Sequence, residues 1–125
     1  MPQVATLGRE FALALAEKDF DKIAALLHPQ IDFKGLTPGR SWEASDPASV
    51  ISGVLMQWFE EDDEIEGLLS LDTDAFADRE RVGYRFGVRN PEGRFVVEQQ
   101  VYLSAREGRI DWMRSVCSGF RPIDA

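Results

Sequence analysis

Cysteine and histidine each occur once in this chain of 125 residues, as Cys117 and His28. A single cysteine excludes an internal disulfide, and a reducing cytoplasm suits it best. With one histidine besides, the zinc spacings built from paired Cys and His cannot be assembled. Long apolar runs are missing too, and none approaches the ~20 residues of a membrane span. Met1-Pro2-Gln3-Val4 shows no basic stretch followed by an apolar one, so no leader is expected. Basic charge is scarce, with Lys and Arg numbering 14 against 22 Asp and Glu, a net charge of -8. Nucleic acid and anionic membranes select basic surfaces, so neither is expected as a partner. Phosphate-binding glycine loops, nucleophile elbows and cofactor fingerprints are absent, and a cofactor-free protein is the expectation. The acidic run from Glu60 to Glu64, continued by Glu66, lacks the spacing of a calcium loop; it reads as a solvated acidic loop, and no metal site is expected.

What is present is apolar patterning. Hydrophobic residues make up 44% of the chain, enough for one globular domain over residues 1–125. Val4, Leu7, Phe11, Ala14 and Leu15 recur at helical spacing and predict a first helix. Asp19 can cap a second, whose buried stripe is Phe20, Ile23, Leu26 and Leu27. His28-Pro29 should end it, because the residue before proline is driven out of the α region. A histidine at a helix end also suits the dipole, which leaves it little call to be catalytic. Ile31 and Phe33 alternate with Asp32 and Lys34 as a short strand, and residues 35–45 read as a loop carrying Arg40 and Trp42. Asp46-Pro47 starts a third helix bearing Val54 and Trp58, expected to fray near Glu60. Strands follow to the end of the chain.

Helix, helix, short strand, helix and then a meander is the order of a pocket-bearing α+β fold. The carrying pieces are Lys18-Asp19-Phe20-Asp21-Lys22-Ile23, Leu27-His28-Pro29-Gln30-Ile31-Asp32-Phe33, Trp42, Trp58-Phe59 and Gly108-Arg109-Ile110. In this order they resemble the superfamily of SnoaL-like and nuclear transport factor 2-like proteins, across nearly the whole chain. The resemblance implies a cone: a curved mixed or antiparallel sheet wrapped around three N-terminal helices, enclosing a deep pocket. The superfamily includes polyketide cyclases, ketosteroid isomerase, dehydratases, epoxide hydrolases and proteins of no known activity, so the fold does not fix the function. Ketosteroid isomerase needs a tyrosine, an aspartate base and a protonated aspartate. Their counterparts here are Phe11, Gly35 and, near the third position, Gln99. Phenylalanine donates no hydrogen bond and glycine takes no proton, so that mechanism is not expected.

Strand parity gives the candidate site. Val82, Tyr84, Phe86 and Val88 alternate with Arg85 and Arg89 and should face inward. Val97, Gln99, Val101 and Leu103 follow by the same parity, and the family register suggests Met113, Ser115 and Cys117. Trp58, Phe86, Val101 and Met113 are expected to hold an apolar ring compound, with Val54 and Cys117 beside them and Trp42 at the rim. Tyr84 and Gln99 would donate hydrogen bonds to an oxygen of that ligand. Each also has a plain structural account, because buried amides and phenols are usually satisfied within the protein. Tyr84, Gln99 and Asp32 are the candidate catalytic residues, and Glu43 near the rim is a further carboxylate, yet nothing marks a general base. Three readings stay open: a cofactor-free cyclase, isomerase or dehydratase; a non-catalytic dimeric binding or accessory protein; and a structural dimer without a pocket, which the bulk of the inward side chains suggests. The resemblance also implies a homodimer through the outer sheet face, where Arg85 or Arg114 would meet a carboxylate such as Glu98.

Overall fold

The structure is a computed structural model that describes residues 4–123, the side chains of residues 4–6 and 76 excepted. The Val4 side chain of the first helical stripe and the leader reading at Met1–Gln3 therefore lie outside what is described. The chain forms α1 (Val4–Ala16), α2 (Phe20–Leu26), β1 (Leu27–Thr37), β2 (Arg40–Ala44), α3 (47–58), β3 (Glu64–Phe76), β4 (Arg79–Asn90), β5 (Gly93–Arg106), β6 (Arg109–Cys117) and β7 (Arg121–Pro122). The strands make one curved, open sheet in the order β2-β1-β6-β5-β4-β3, with β7 paired to β5. β1 runs parallel to β6, and every other pairing is antiparallel.

The caps explain where the helices begin. The Asp19 carboxylate accepts the Lys22 N–H at 3.1 Å, and that of Asp46 accepts the Ser49 N–H at 2.8 Å with Pro47 just inside the helix. α3 is π-helical over Ile51–Leu55 and stops at Phe59, which is extended. The acidic run beyond it is ordered by a tight turn. Asp63, nearly buried, accepts the Glu60 N–H at 2.8 Å and the Asn90 side-chain amide at 2.9 Å. Among the described residues no group of three or more His, Cys, Asp or Glu is placed to hold a metal ion.

Three local expectations need correction. The first strand is longer than Ile31–Phe33: it starts at Leu27, directly from the α2 cap, and continues through Gly35 to Thr37. Part of the expected 35–45 loop is a second strand, β2, which folds back on β1 across Pro38-Gly39 and pairs Trp42 with Gly35. His28 is therefore not at a helix C-terminus. It is a buried residue at the start of β1, its Nδ1 accepting the Gln30 N–H at 3.0 Å. That contact leaves the proton on Nε2, which donates to Glu107 at 2.9 Å. The hydrogen bond from His28 holds the Glu107 carboxyl below its ordinary range.

α1 and α3 lie against one face of the sheet and build the core with it. Phe11, Leu15, Val54 and Leu55 meet Phe33, Val82, Phe86, Val101 and Met113, all buried. The opposite face carries the charged partners of the same strands, the alternation expected of a sheet covered on one side.

Candidate functional site

Register brings the predicted inward residues together. Tyr84 lies opposite Gln99, Val82 opposite Val101 and Phe86 opposite Val97 across β4 and β5. Across β5 and β6, Gln99 faces Cys117, Val101 faces Ser115 and Leu103 faces Met113. All of these are buried on the helix-covered face.

The site centres on a polar pair in apolar surroundings. Tyr84 and Gln99 are each 1% exposed. The Tyr84 hydroxyl donates to Gln99 Oε1, and Gln99 Nε2 donates to Cys117 Sγ at 3.4 Å. The thiol also receives the Gly119 N–H at 3.4 Å. Burial, with a smaller contribution from Cys117, pushes the Tyr84 phenol well above 10, so it stays a neutral donor at all ordinary pH. The expected pair of donors to a ligand is thus turned partly inward: the phenol proton is committed to the amide. Gln99 keeps its second Nε2 proton, and the Tyr84 oxygen keeps an acceptor site.

α3 supplies the wall. Trp58 is 8% exposed, and its Nε1 has no hydrogen-bond partner among the described residues. Its ring lies over Gly35 so closely that a Cβ there would come within 2.9 Å of Trp58 Cη2. The space that a side chain at position 35 would take is thus filled by indole. Phe33 packs on Trp58 with ring centroids 6.2 Å apart, and Trp42 meets it edge-on at 6.0 Å. Trp42, half-buried on β2, donates from Nε1 to the Thr37 hydroxyl at 2.9 Å and carries the Arg40 guanidinium on its face at 3.7 Å.

Other candidates sit elsewhere. Asp32 is exposed and pairs with Arg114 at 3.3 Å on the outer face. Glu43 is exposed on β2, in register with Lys34. His28 and Glu107 lie where β1 meets the β5–β6 turn.

One residue was missed by reading the sequence. Glu80, 1% exposed, faces inward on β4, with its carboxyl pushed up to about 7, chiefly by burial and against a hydrogen bond from Gly8. It lies four positions before Tyr84 on one strand face, a span of about 13 Å at ~3.3 Å per residue. The signal was there: counting alternate residues back from Val82 puts Glu80 on the inner face, although the run Ala77-Asp78-Arg79-Glu80 reads as a turn and the strand in fact begins at Arg79.

No family model and no curated protein matches this sequence. Solved structures do match its fold. A LEH-like epoxide hydrolase from M. tuberculosis aligns with TM-score 0.71 at 14% identity, over 93% of this chain and 83% of that one. A candidate polyketide cyclase from Xanthomonas campestris pv. campestris aligns with TM-score 0.71 at 17% identity, over 91% and 90% of the two chains. A nuclear transport factor 2-like protein from Burkholderia xenovorans LB400 aligns with TM-score 0.68 at 16% identity, over 93% and 89%. The resemblance drawn from the sequence thus holds for the fold, which is nuclear transport factor 2-like.

Proposed function

We propose that this is a small-molecule pocket protein whose ligand, a compact and largely apolar ring compound bearing an oxygen, binds inside the cone formed by the sheet and its helices. The carrying observation is the Tyr84–Gln99 pair, two buried polar groups that leave one amide proton and one phenol lone pair unspent in an apolar setting. Such sites place a few polar groups among apolar walls to fix a ligand's orientation. Trp58, Val54, Phe86, Val101 and Met113 are the apolar walls of this reading, Cys117 borders the amide, and Trp42 stands at the rim. Isomerisation or cyclisation of such a ring is the chemistry that the names of the solved neighbours suggest; dehydration, and the want of a cofactor, belong to this reading alone.

A specific observation favours the second reading, a non-catalytic binding or accessory protein. No carboxylate or imidazole among the described residues is within hydrogen-bonding distance of the Tyr84 hydroxyl or the Gln99 amide. A general base must lie within hydrogen-bonding reach of the substrate proton, directly or through one water, and none adjoins the pair that would hold the substrate.

A thermal-shift screen against ring ketones, phenols and polycyclic aromatics tests the proposal, with Tyr84→Phe and Gln99→Leu as controls. A ligand specific for the folded state adds ~2.7 kcal/mol at a hundred times its dissociation constant. A shift that both substitutions abolish supports the pocket, and turnover of that ligand then decides between the readings. No shift with any compound would overturn it.

The homodimer belongs to the same proposal. Leu36 and Val116 are paired neighbours on the outer face, 52% and 55% exposed, beside a depression of about 260 Å³. Around them the charges are matched: Arg81 with Asp72, Arg85 with Glu98, Arg114 with Asp32. In a chain of net charge -8, a face whose charges are paired around an apolar centre suits a second copy. Sedimentation equilibrium showing the mass of a single chain at micromolar concentration would contradict it.

A further inference from the structure

Glu80 is a buried carboxyl for which the pocket reading has no use. Its Oε2 accepts the Gly8 N–H at 3.2 Å, and its Oε1 has no hydrogen-bond partner among the described residues. Gly8 lets α1 settle directly on this carboxyl: a Cβ at that position would lie 3.0 Å from Glu80 Oε2 and 3.1 Å from Val82. The cross-strand neighbours of Glu80 are Ala75 on β3 and Leu103 on β5, which offer it no polar group.

The charged groups of the elements around it point elsewhere. On α1, Arg9 is exposed and Glu10 half-buried, flanking the face that Gly8 and Phe11 bury. On β3, Asp72 and Asp74 act on Arg81 at the outer face, and Glu64 and Glu66 pair with Arg89 and Arg94. On β5, Glu98 pairs with Arg85, and Arg106 reaches Asp111 and Gln30. On its own strand, Arg79 stacks on Trp112. The causes acting on the Glu80 carboxyl are burial, which favours its neutral form, and the Gly8 N–H, which opposes.

We propose that Glu80 is a pH-sensitive latch that holds α1 against the sheet while neutral and releases the N-terminal half of α1 when it ionises. An ionised, half-paired carboxylate under a helix is costly, and lifting the helix restores its hydration. The sign follows from proton binding. The closed state, with its carboxyl at about 7, holds the proton more tightly than an open state at the ordinary 4.5. The latch is therefore fully held below 4.5, weakens as pH rises from there to about 7, and is constant above. Phe11 lies three residues beyond Gly8 on the same buried face of α1, against the core. Release of α1 would thus uncover the inner sheet face, a consequence for ligand entry that rests on the pocket reading; the latch itself does not.

Amide hydrogen exchange on the whole chain, corrected for intrinsic rates, tests the latch without any ligand. Near pH 8.5 the amides of α1 should exchange ahead of those of β5, and their protection should be lower than near pH 5.5 on the order of tenfold. Glu80→Gln, which keeps the shape without the charge, should remove that fall. Exchange of α1 and β5 together near pH 8.5, which would mean global opening only, overturns the proposal. So does an equal fall in the Glu80→Gln protein. The first comparison uses the unaltered protein, so it decides the matter even if the variant folds poorly.

Discussion

The two faces of β4 and β5 differ by one residue in register and follow opposite rules. On the inner face, Tyr84, Phe86, Gln99 and Val101 are sealed from water, and every polar atom must find a partner or bear its desolvation. On the outer face, Arg85 and Glu98 meet at 2.8 Å while both remain substantially exposed. Water screens that pair and supports either partner when the other is lost. The same strands thus carry a specific, costly polar group inside and inexpensive, replaceable ones outside. A polar pair kept in the costly place is what points to a ligand.

The contrast can be broken at its strongest point first. Phe86→Ala should cost about 3–5 kcal/mol in urea unfolding, since it opens a cavity between Phe59, Tyr84 and the sheet. Gln99→Leu should cost about 1–3 kcal/mol by leaving the Tyr84 hydroxyl buried and unpaired. Adding Tyr84→Phe to it should then cost less than Tyr84→Phe alone, because the two groups satisfy each other. Glu80→Gln should raise Tm near pH 8 by a few degrees and leave it unchanged near pH 3, where the carboxyl is neutral whether folded or not. Arg85→Ala on the outer face should cost under ~1 kcal/mol, and less in molar salt. Arg85 and then Gln100 hold Glu98 below its ordinary value of 4.5. The small contribution of that pair is therefore present above this value and lost as pH falls below it.

How far the sequence could be read differs between the same two faces. Burial is periodic, so the alternation from Val82 to Val88 and from Val97 to Leu103 was legible, and with it the company of Tyr84 and Gln99. Partners are not periodic. Nothing in the spacing says that the Tyr84 proton goes to Gln99, that Trp58 occupies the space beside Gly35, or that Gly8 lies on Glu80. These depend on which elements pack together. β2 was missed because Pro38-Gly39 reads as loop chemistry, although a tight turn is also what joins two strands. His28 was misplaced because a proline after a helix marks its end without saying that a strand begins two residues before it.

The central claim is that the inner polar pair orients an oxygen-bearing ring. It is tested most directly by titrating the protein with a cyclic ketone and with its parent hydrocarbon, following tryptophan emission. One hydrogen bond of ordinary net strength should favour the ketone by about tenfold. The account predicts that preference in the unaltered protein and its loss in Gln99→Leu, with hydrocarbon affinity retained. An equal preference in both proteins, or no binding of either compound, would contradict it.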